Sequence, residues 1–286
     1  MGRPEVSQLK RREFATFVSA AAIGAPALTS RVLSETQASR WQPDGLGALT
    51  RIGVLTPDFD PVPESEMWTM APHGVSVHAS RVVWNRHSEW DRDARAFAEP
   101  PNVDNATKQL AAVKPQVIVY AFTSSSYALG TEGDGTFRAR LERAAGGIPV
   151  ILTCPAATEA LDSLAVHRIA LIHPPWFAKE LSAAGMDYFR KQGFDVVVSV
   201  GMTPARSFTE VPAAEVYEWA TKNVPRQAEA VFIAGNGLRA IGAIQTLEQS
   251  LGRPVLTANQ VAFWQALRTA RVSAEPGGYG RIFGNG

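Results

Sequence analysis

Val117-Ile118-Val119-Tyr120-Ala121-Phe122-Thr123-Ser124-Ser125-Ser126 is a short apolar run that ends abruptly in hydroxyl side chains. Val231-Phe232-Ile233-Ala234-Gly235-Asn236-Gly237 has the same form, an apolar run closed by small, turn-forming residues. Short runs without polar alternation read as strands buried on both faces of a parallel sheet. Ligands of open parallel sheets bind beyond the carboxyl ends of the strands. Two such strand ends, in equivalent places in two halves of a chain, predict two lobes sharing one cleft.

Working outward, apolar runs at 49–55, 75–83, 117–122 and 149–152 give four strands in the first half. Runs at 168–172, 195–200, 230–234 and 254–257 give four in the second. Amphipathic segments at 102–113, 136–145, 156–164, 177–192, 213–223, 238–251 and 260–270 supply the helices between them. Gly193 and Gly252 are natural stops, and Lys114-Pro115 and Val224-Pro225 each close a helix before a strand. The expected fold is α/β: two similar lobes, each a four-stranded parallel sheet flanked by helices, with the site in the cleft between them. Residues 46–165 form the first lobe and 166–259 the second, and 260–286 pack back on the first. The stretch 84–101 is charged and aromatic without clear periodicity, and reads as an insertion or lid, or as a solvated loop.

The chain has 286 residues, 45% of them hydrophobic and 19% charged, which places it among globular proteins. Its net charge is +1 and no basic run follows the first dozen residues, so nucleic acid is not an expected partner. One cysteine, Cys154, excludes an internal disulfide, and the five histidines show no ligand spacing for a metal. Lys10-Arg11-Arg12-Glu13-Phe14, followed by an alanine-rich apolar stretch, reads as a twin-arginine export signal with cleavage near Ala27 or Ala38. That stretch is too short and too rich in small residues for a stable membrane span. Residues 1–45 are therefore set aside as signal and linker, and the protein is expected to be periplasmic or secreted. Oligomeric state is not legible.

The strand-end clusters carry the candidate chemistry. Thr123 to Ser126 offer hydroxyls and main-chain donors, and Gly235-Asn236-Gly237 offers exposed backbone at the expected start of a helix; both suit a carboxylate or an oxyanion. Gly235-Asn236-Gly237-Leu238-Arg239-Ala240 also fits the dinucleotide fingerprint, but no acidic residue for a ribose follows the next strand. No cofactor is expected. Cys154 reads as a packed, inert thiol.

The ordered set Ile52-Gly53-Val54-Leu55-Thr56-Pro57, Ala121-Phe122-Thr123-Ser124, Arg168 to Ile172 with Pro174, Gly237-Leu238, Leu251-Gly252-Arg253-Pro254-Val255, Ala262 to Arg268 and Gly278-Tyr279-Gly280-Arg281-Ile282-Phe283 resembles the aspartate/glutamate racemase superfamily. Within it, the similarity is to the arylmalonate decarboxylases and maleate cis–trans isomerases, from about residue 50 to the C-terminus. The resemblance implies that Thr123, Ser124, Asn236 and Gly237 hold a small mono- or dicarboxylate. It also implies that Phe122 and Gly235 stand where those enzymes keep catalytic cysteines, that Pro175 and Trp176 stand near a replaced tyrosine, and that Asp60 replaces an asparagine. Neither Phe nor Gly donates a proton, so another acid must: Asp60, His173, Asp58 or a bound water. Phe59, Phe122, Trp176 and Gly235 would line the pocket.

The expected function is that of an exported lyase or isomerase on a small carboxylic acid, nearest to decarboxylation of a substituted arylmalonate through an enediolate. The rivals are a non-catalytic periplasmic carboxylate-binding protein and a maleate isomerase-like enzyme with altered chemistry.

Overall fold

Among the described residues, eight strands form two parallel sheets whose strand orders repeat each other. The computed structural model describes residues 46–47, 50–84, 90–204 and 210–284. The expected export signal and linker lie outside them. The first half runs β1 (Thr50–Pro57), α1 (Val62–Met70), β2 (Val75–Val82), α2 (Trp90–Ala98), α3 (Asn102–Ala111), β3 (Val117–Tyr120), α4 (Thr123–Ala144), β4 (Val150–Leu152) and α5 (Thr153–Ser163). The second runs β5 (Arg168–His173), α6 (Lys179–Lys191), β6 (Asp195–Gly201), α7 (Ala213–Asn223), β7 (Ala230–Ile233), α8 (Ile244–Leu251), β8 (Val255–Thr257) and α9 (Ala258–Thr269). The orders are β2-β1-β3-β4 and β6-β5-β7-β8, every pair parallel.

Burial explains the order. β3 and β7 are covered along their whole length, as central parallel strands with helices on both faces must be. β6, at an edge, is largely half-buried and carries a register shift against β5 between Ile169 and Ala170. The last helix, α9, returns to the first sheet, packing on α5, α1 and β3. No helix among the described residues is long and apolar enough to cross a membrane.

Four local features depart from the sequence reading, each for a physical reason. The Thr123–Ser126 cluster is the first turn of a helix rather than a free turn; α4 then breaks at Gly130, whose φ of 69° and ψ of 178° are non-helical. That break is why only the later half, 136–145, showed helical periodicity. α1 was hidden by Pro61 and Pro63, which read as loop, although proline is tolerated at a helix start. α2 occupies the stretch read as insertion, lid or loop, and it is packed: Ala94, Phe97 and Ala98 are buried. By contrast, Gly237 does not open a helix, because a turn intervenes before the short 3₁₀ segment Ile241–Ala243 and α8.

α9 is fixed at its start by a reciprocal cap. The Gln260 N–H donates to Thr257 Oγ1 at 3.4 Å, and the Thr257 N–H donates to Gln260 Oε1 at 3.0 Å. Replacing Thr257 by alanine removes one acceptor at a buried helix end and is expected to cost about 1 kcal/mol, read as a lower urea midpoint with an unchanged slope. An unmoved midpoint would show that the cap carries no stability.

Candidate functional site

The carboxyl ends of β1, β3, β5 and β7 converge on a cavity of about 570 Å³. The loop after β1 contributes Pro57, Phe59 and Asp60; the β3–α4 junction contributes Phe122, Thr123 and Ser124. From the second lobe come Trp176, Phe177, Ala178 and Leu181 after β5, and Gly235, Asn236 and Gly237 after β7. Trp84, Asp93 and Ala94 complete the wall from the inserted segment, whose helix is tied down by Ser125 Oγ donating to the Ala94 carbonyl at 2.7 Å. Both strand-end clusters thus meet in one cavity.

They also bind each other. Asn236 Oδ1 accepts the Thr123 N–H at 2.9 Å and the Thr123 hydroxyl at 2.7 Å. Thr123 Oγ1 in turn accepts the Gly235 N–H at 3.3 Å. Asn236 Nδ2 donates to Thr153 Oγ1 at 3.2 Å and to Asn259 Oδ1 at 2.9 Å. All four side chains are at most 3% exposed. This changes the roles expected of two residues. The Thr123 hydroxyl proton and both ends of the Asn236 side chain are spent joining the lobes, so neither side chain has a donor left for a ligand. Ser124 and Gly237 line the cavity beside them. Phe122 occupies the N-cap position of α4 and supplies no cap of its own, so the Thr123 N–H is satisfied from across the cleft by Asn236.

Gly235 is glycine for two reasons. Its φ is +86°, and a Cβ there would lie 2.2 Å from Pro174 Cγ. The Pro174 ring fills the space that a side chain at 235 would need. On the opposite side, Phe122 packs against Phe97 at 4.3 Å and against the edge of Trp84 at 5.2 Å, and Trp84 stacks on Phe59 at 5.1 Å. An aromatic cluster and the polar strand ends therefore line one cavity.

Among the acids considered, Asp60 is the one the structure puts in the cavity. Its Oδ1 accepts the Val62 N–H at 3.0 Å, and its backbone carbonyl accepts from Arg81 and from Thr56. Burial pushes its carboxyl up to about 6, against the pull of the Val62 hydrogen bond and of Arg81. Asp58 is exposed and does not line the cavity.

His173 is also outside the cavity. Its ring is fully buried, stacked on Phe177 and edge-on to Tyr127. Ser199 Oγ donates to the Ser182 carbonyl, so His173 Nε2 carries the hydrogen that Ser199 Oγ accepts at 3.1 Å. Desolvation pushes its pKa down to about 3, leaving a neutral imidazole whose one N–H is given to Ser199. Cys154 is buried, with Sγ 3.6 Å from the Thr123 carbonyl, and burial pushes its thiol well up.

The sequence reading missed Thr153, Asn259 and Glu66. The first two were detectable, because β4 and β8 end in polar residues just as β3 and β7 do. Glu66 was not: a carboxylate on the inward stripe of α1 reads as a break in the apolar pattern.

Comparison with known proteins bears on the family and the fold. The sequence model of the arylmalonate decarboxylase family matches residues 98–283. The maleate isomerase of Pseudomonas putida (strain KT2440) is 27% identical over 159 residues, 52% of this chain and 61% of that protein. The arylmalonate decarboxylase of Bordetella bronchiseptica is 25% identical over 147 residues, 49% of this chain and 60% of that one. The chain thus matches about three fifths of the length of these relatives. In fold, the maleate isomerase Iso of Pseudomonas putida S16 superimposes with a TM-score of 0.74 at 18% identity, over 82% of this chain and 98% of that one. An arylmalonate decarboxylase does so with 0.65 at 20%, over 82% and 98%. The two-lobed fold, the site between its sheets and the family match together place the chain in the arylmalonate decarboxylase family, within the aspartate/glutamate racemase-like superfamily.

Proposed function

We propose that this protein is a cofactor-independent decarboxylase of a substituted arylmalonate, with Asp60 as the proton donor. The observation that carries the reading is the placement of Asp60: a buried carboxyl, pushed up to about 6, in the same cavity as Ser124 at the start of α4. One substrate carboxylate is held by the Ser124 hydroxyl and by main-chain donors at 124 and at 236–237. The other faces Phe59, Trp84, Phe122 and Trp176, where an ionised group is poorly solvated. It leaves as carbon dioxide, and the electrons of the broken C–C bond remain as an enediolate stabilised at the polar end. Asp60 gives its proton to the α-carbon and regains one from water.

A thiol route is the alternative chemistry. A mutant of the Nocardia farcinica maleate cis–trans isomerase was captured with a covalently bound succinylcysteine intermediate. The one cysteine here, Cys154, is buried outside the cavity, which favours an acid over a thiol. The same observation supports a second reading, a carboxylate-binding protein that performs no reaction. Residues 1–45 are proposed to carry the twin-arginine export signal, which makes either protein periplasmic or secreted.

Carbon dioxide release from a panel of arylmalonates separates the readings. The wild-type chain is expected to turn over at least one acid, and Asp60→Asn to lose on the order of 10²-fold or more. Because Asp60 must be protonated to act, the rate is expected to fall as pH rises through about 6. Acids that raise the melting temperature but are recovered unchanged would leave the binding protein as the correct reading.

A further inference from the structure

Glu66 is a buried carboxylate that the proposed reaction leaves unused. It lies on α1 and is 7% exposed. Its Oε1 accepts the Ala240 N–H at 2.8 Å and the Ile241 N–H at 3.1 Å, where the 3₁₀ segment Ile241–Ala243 begins. Its Oε2 accepts from Asn259 Nδ2 at 2.7 Å. One side chain of the first lobe thus holds the loop after β7 and the first turn of α9. The bonds continue toward the cleft. Asn259 Nδ2 also donates to the Asn236 carbonyl at 2.8 Å, and Asn259 Oδ1 accepts from Asn236 Nδ2 at 2.9 Å. Asn236 Oδ1 then meets the N–H and the hydroxyl of Thr123.

An amide side chain presents oxygen one way round and nitrogen the other, so its neighbours must set its sense. Here the sense is set from the Glu66 end, because a carboxylate only accepts. Burial raises the Glu66 carboxyl to about 7 against the pull of its three N–H bonds, so it is ionised above that pH. We infer that Glu66 is a positioning residue: it fixes the sense of the Asn259 and Asn236 amides, and through them the seating of Thr123 next to Ser124 at the start of α4. The inference rests on the proposed function for its consequence, that this strand end holds a substrate carboxylate. Glu66→Gln frustrates the chain. The one oxygen left is needed by the Ala240 and Ile241 N–H groups, which turns the new NH₂ toward the Asn259 NH₂. Turning Asn259 over removes that clash and makes two others, oxygen against the Asn236 carbonyl and NH₂ against the Asn236 NH₂. No single flip satisfies every group, and an unpaired buried polar group is costly.

Amide hydrogen exchange followed by nuclear magnetic resonance, on the full chain at pH 8, tests this. Glu66→Gln is expected to speed exchange of the Thr123 N–H and of the Asn236 side-chain NH₂ by about tenfold or more, as loss of a buried hydrogen bond requires. It is also expected to weaken binding of phenylacetate, a monoacid with no second carboxylate to lose, by about tenfold. Thr257→Ala, which loosens the start of α9 without removing a link of the chain, is the control and should leave Thr123 close to wild type. Faster exchange confined to Ala240 and Ile241 overturns the inference. So does phenylacetate binding that stays at the wild-type level once Thr123 has loosened. If Glu66→Gln does not fold, Asn259→Ala decides, because it cuts the chain and leaves both backbone bonds of Glu66 in place; a Thr123 N–H that stays protected is then the contrary result. Failure of the functional reading looks different: the wild-type chain neither consumes arylmalonates nor binds phenylacetate, while the exchange at Thr123 still follows Glu66.

Discussion

The cleft depends on one side-chain oxygen. Asn236 Oδ1 takes both the N–H and the hydroxyl of Thr123, and the longer Gly235 N–H bond to Thr123 Oγ1 joins the tips of β3 and β7 beside it. A buried amide acceptor left without donors is costly, on the order of 1–3 kcal/mol per unmade bond. The two sheets share one apolar cluster, which holds Val117 and Val119 together with Ile169, Leu171 and Phe232, and the bonds to Asn236 fix the strand tips above it. Nδ2 extends the tie to Thr153 and Asn259, so the ends of β4 and β8 are drawn in as well. Four strand tips are locked by one amide, and the cavity is what lies beside the lock.

This constraint decides which groups are left for chemistry. Polar atoms that join the lobes cannot also bind a ligand, which removes the side chains of Thr123 and Asn236 and leaves Ser124, the main chain and Asp60. It also separates the cavity into two environments. Hydroxyl and N–H donors stand at the strand ends, and the rings of Phe59, Trp84 and Phe122, in contact with one another, line the same cavity. A molecule with one carboxylate and one flat apolar group matches that division. A carboxylate forced against the rings loses solvation with nothing to replace it.

Much of the architecture was legible because buried parallel strands announce themselves. Val117 to Tyr120 and Ala230 to Ile233 are apolar on both faces, and the glycines at 193 and 252 mark helix ends with positive φ values. The rest was hidden by side chains that break the pattern in order to serve the interior. Glu66 interrupts the apolar stripe of α1, Gly130 splits α4, and the inserted stretch conceals Phe97 behind the charges of α2. For the site, position was readable and role was not. Thr123 and Asn236 stand where the strand ends predicted, but only coordinates reveal that their hydrogen bonds are made to each other. His173 shows the converse, since a histidine at a strand end looks available in sequence and is sealed between Tyr127 and Phe177 in the fold.

A double-mutant cycle between Thr123→Val and Asn236→Ala, read by urea unfolding, tests the lock most directly. Residues joined through a shared buried hydrogen bond are expected to show a coupling of roughly 1 kcal/mol or more, because the second substitution removes a bond the first has already broken. Additive losses, agreeing within about 0.5 kcal/mol, would contradict the claim that these two side chains hold the lobes together.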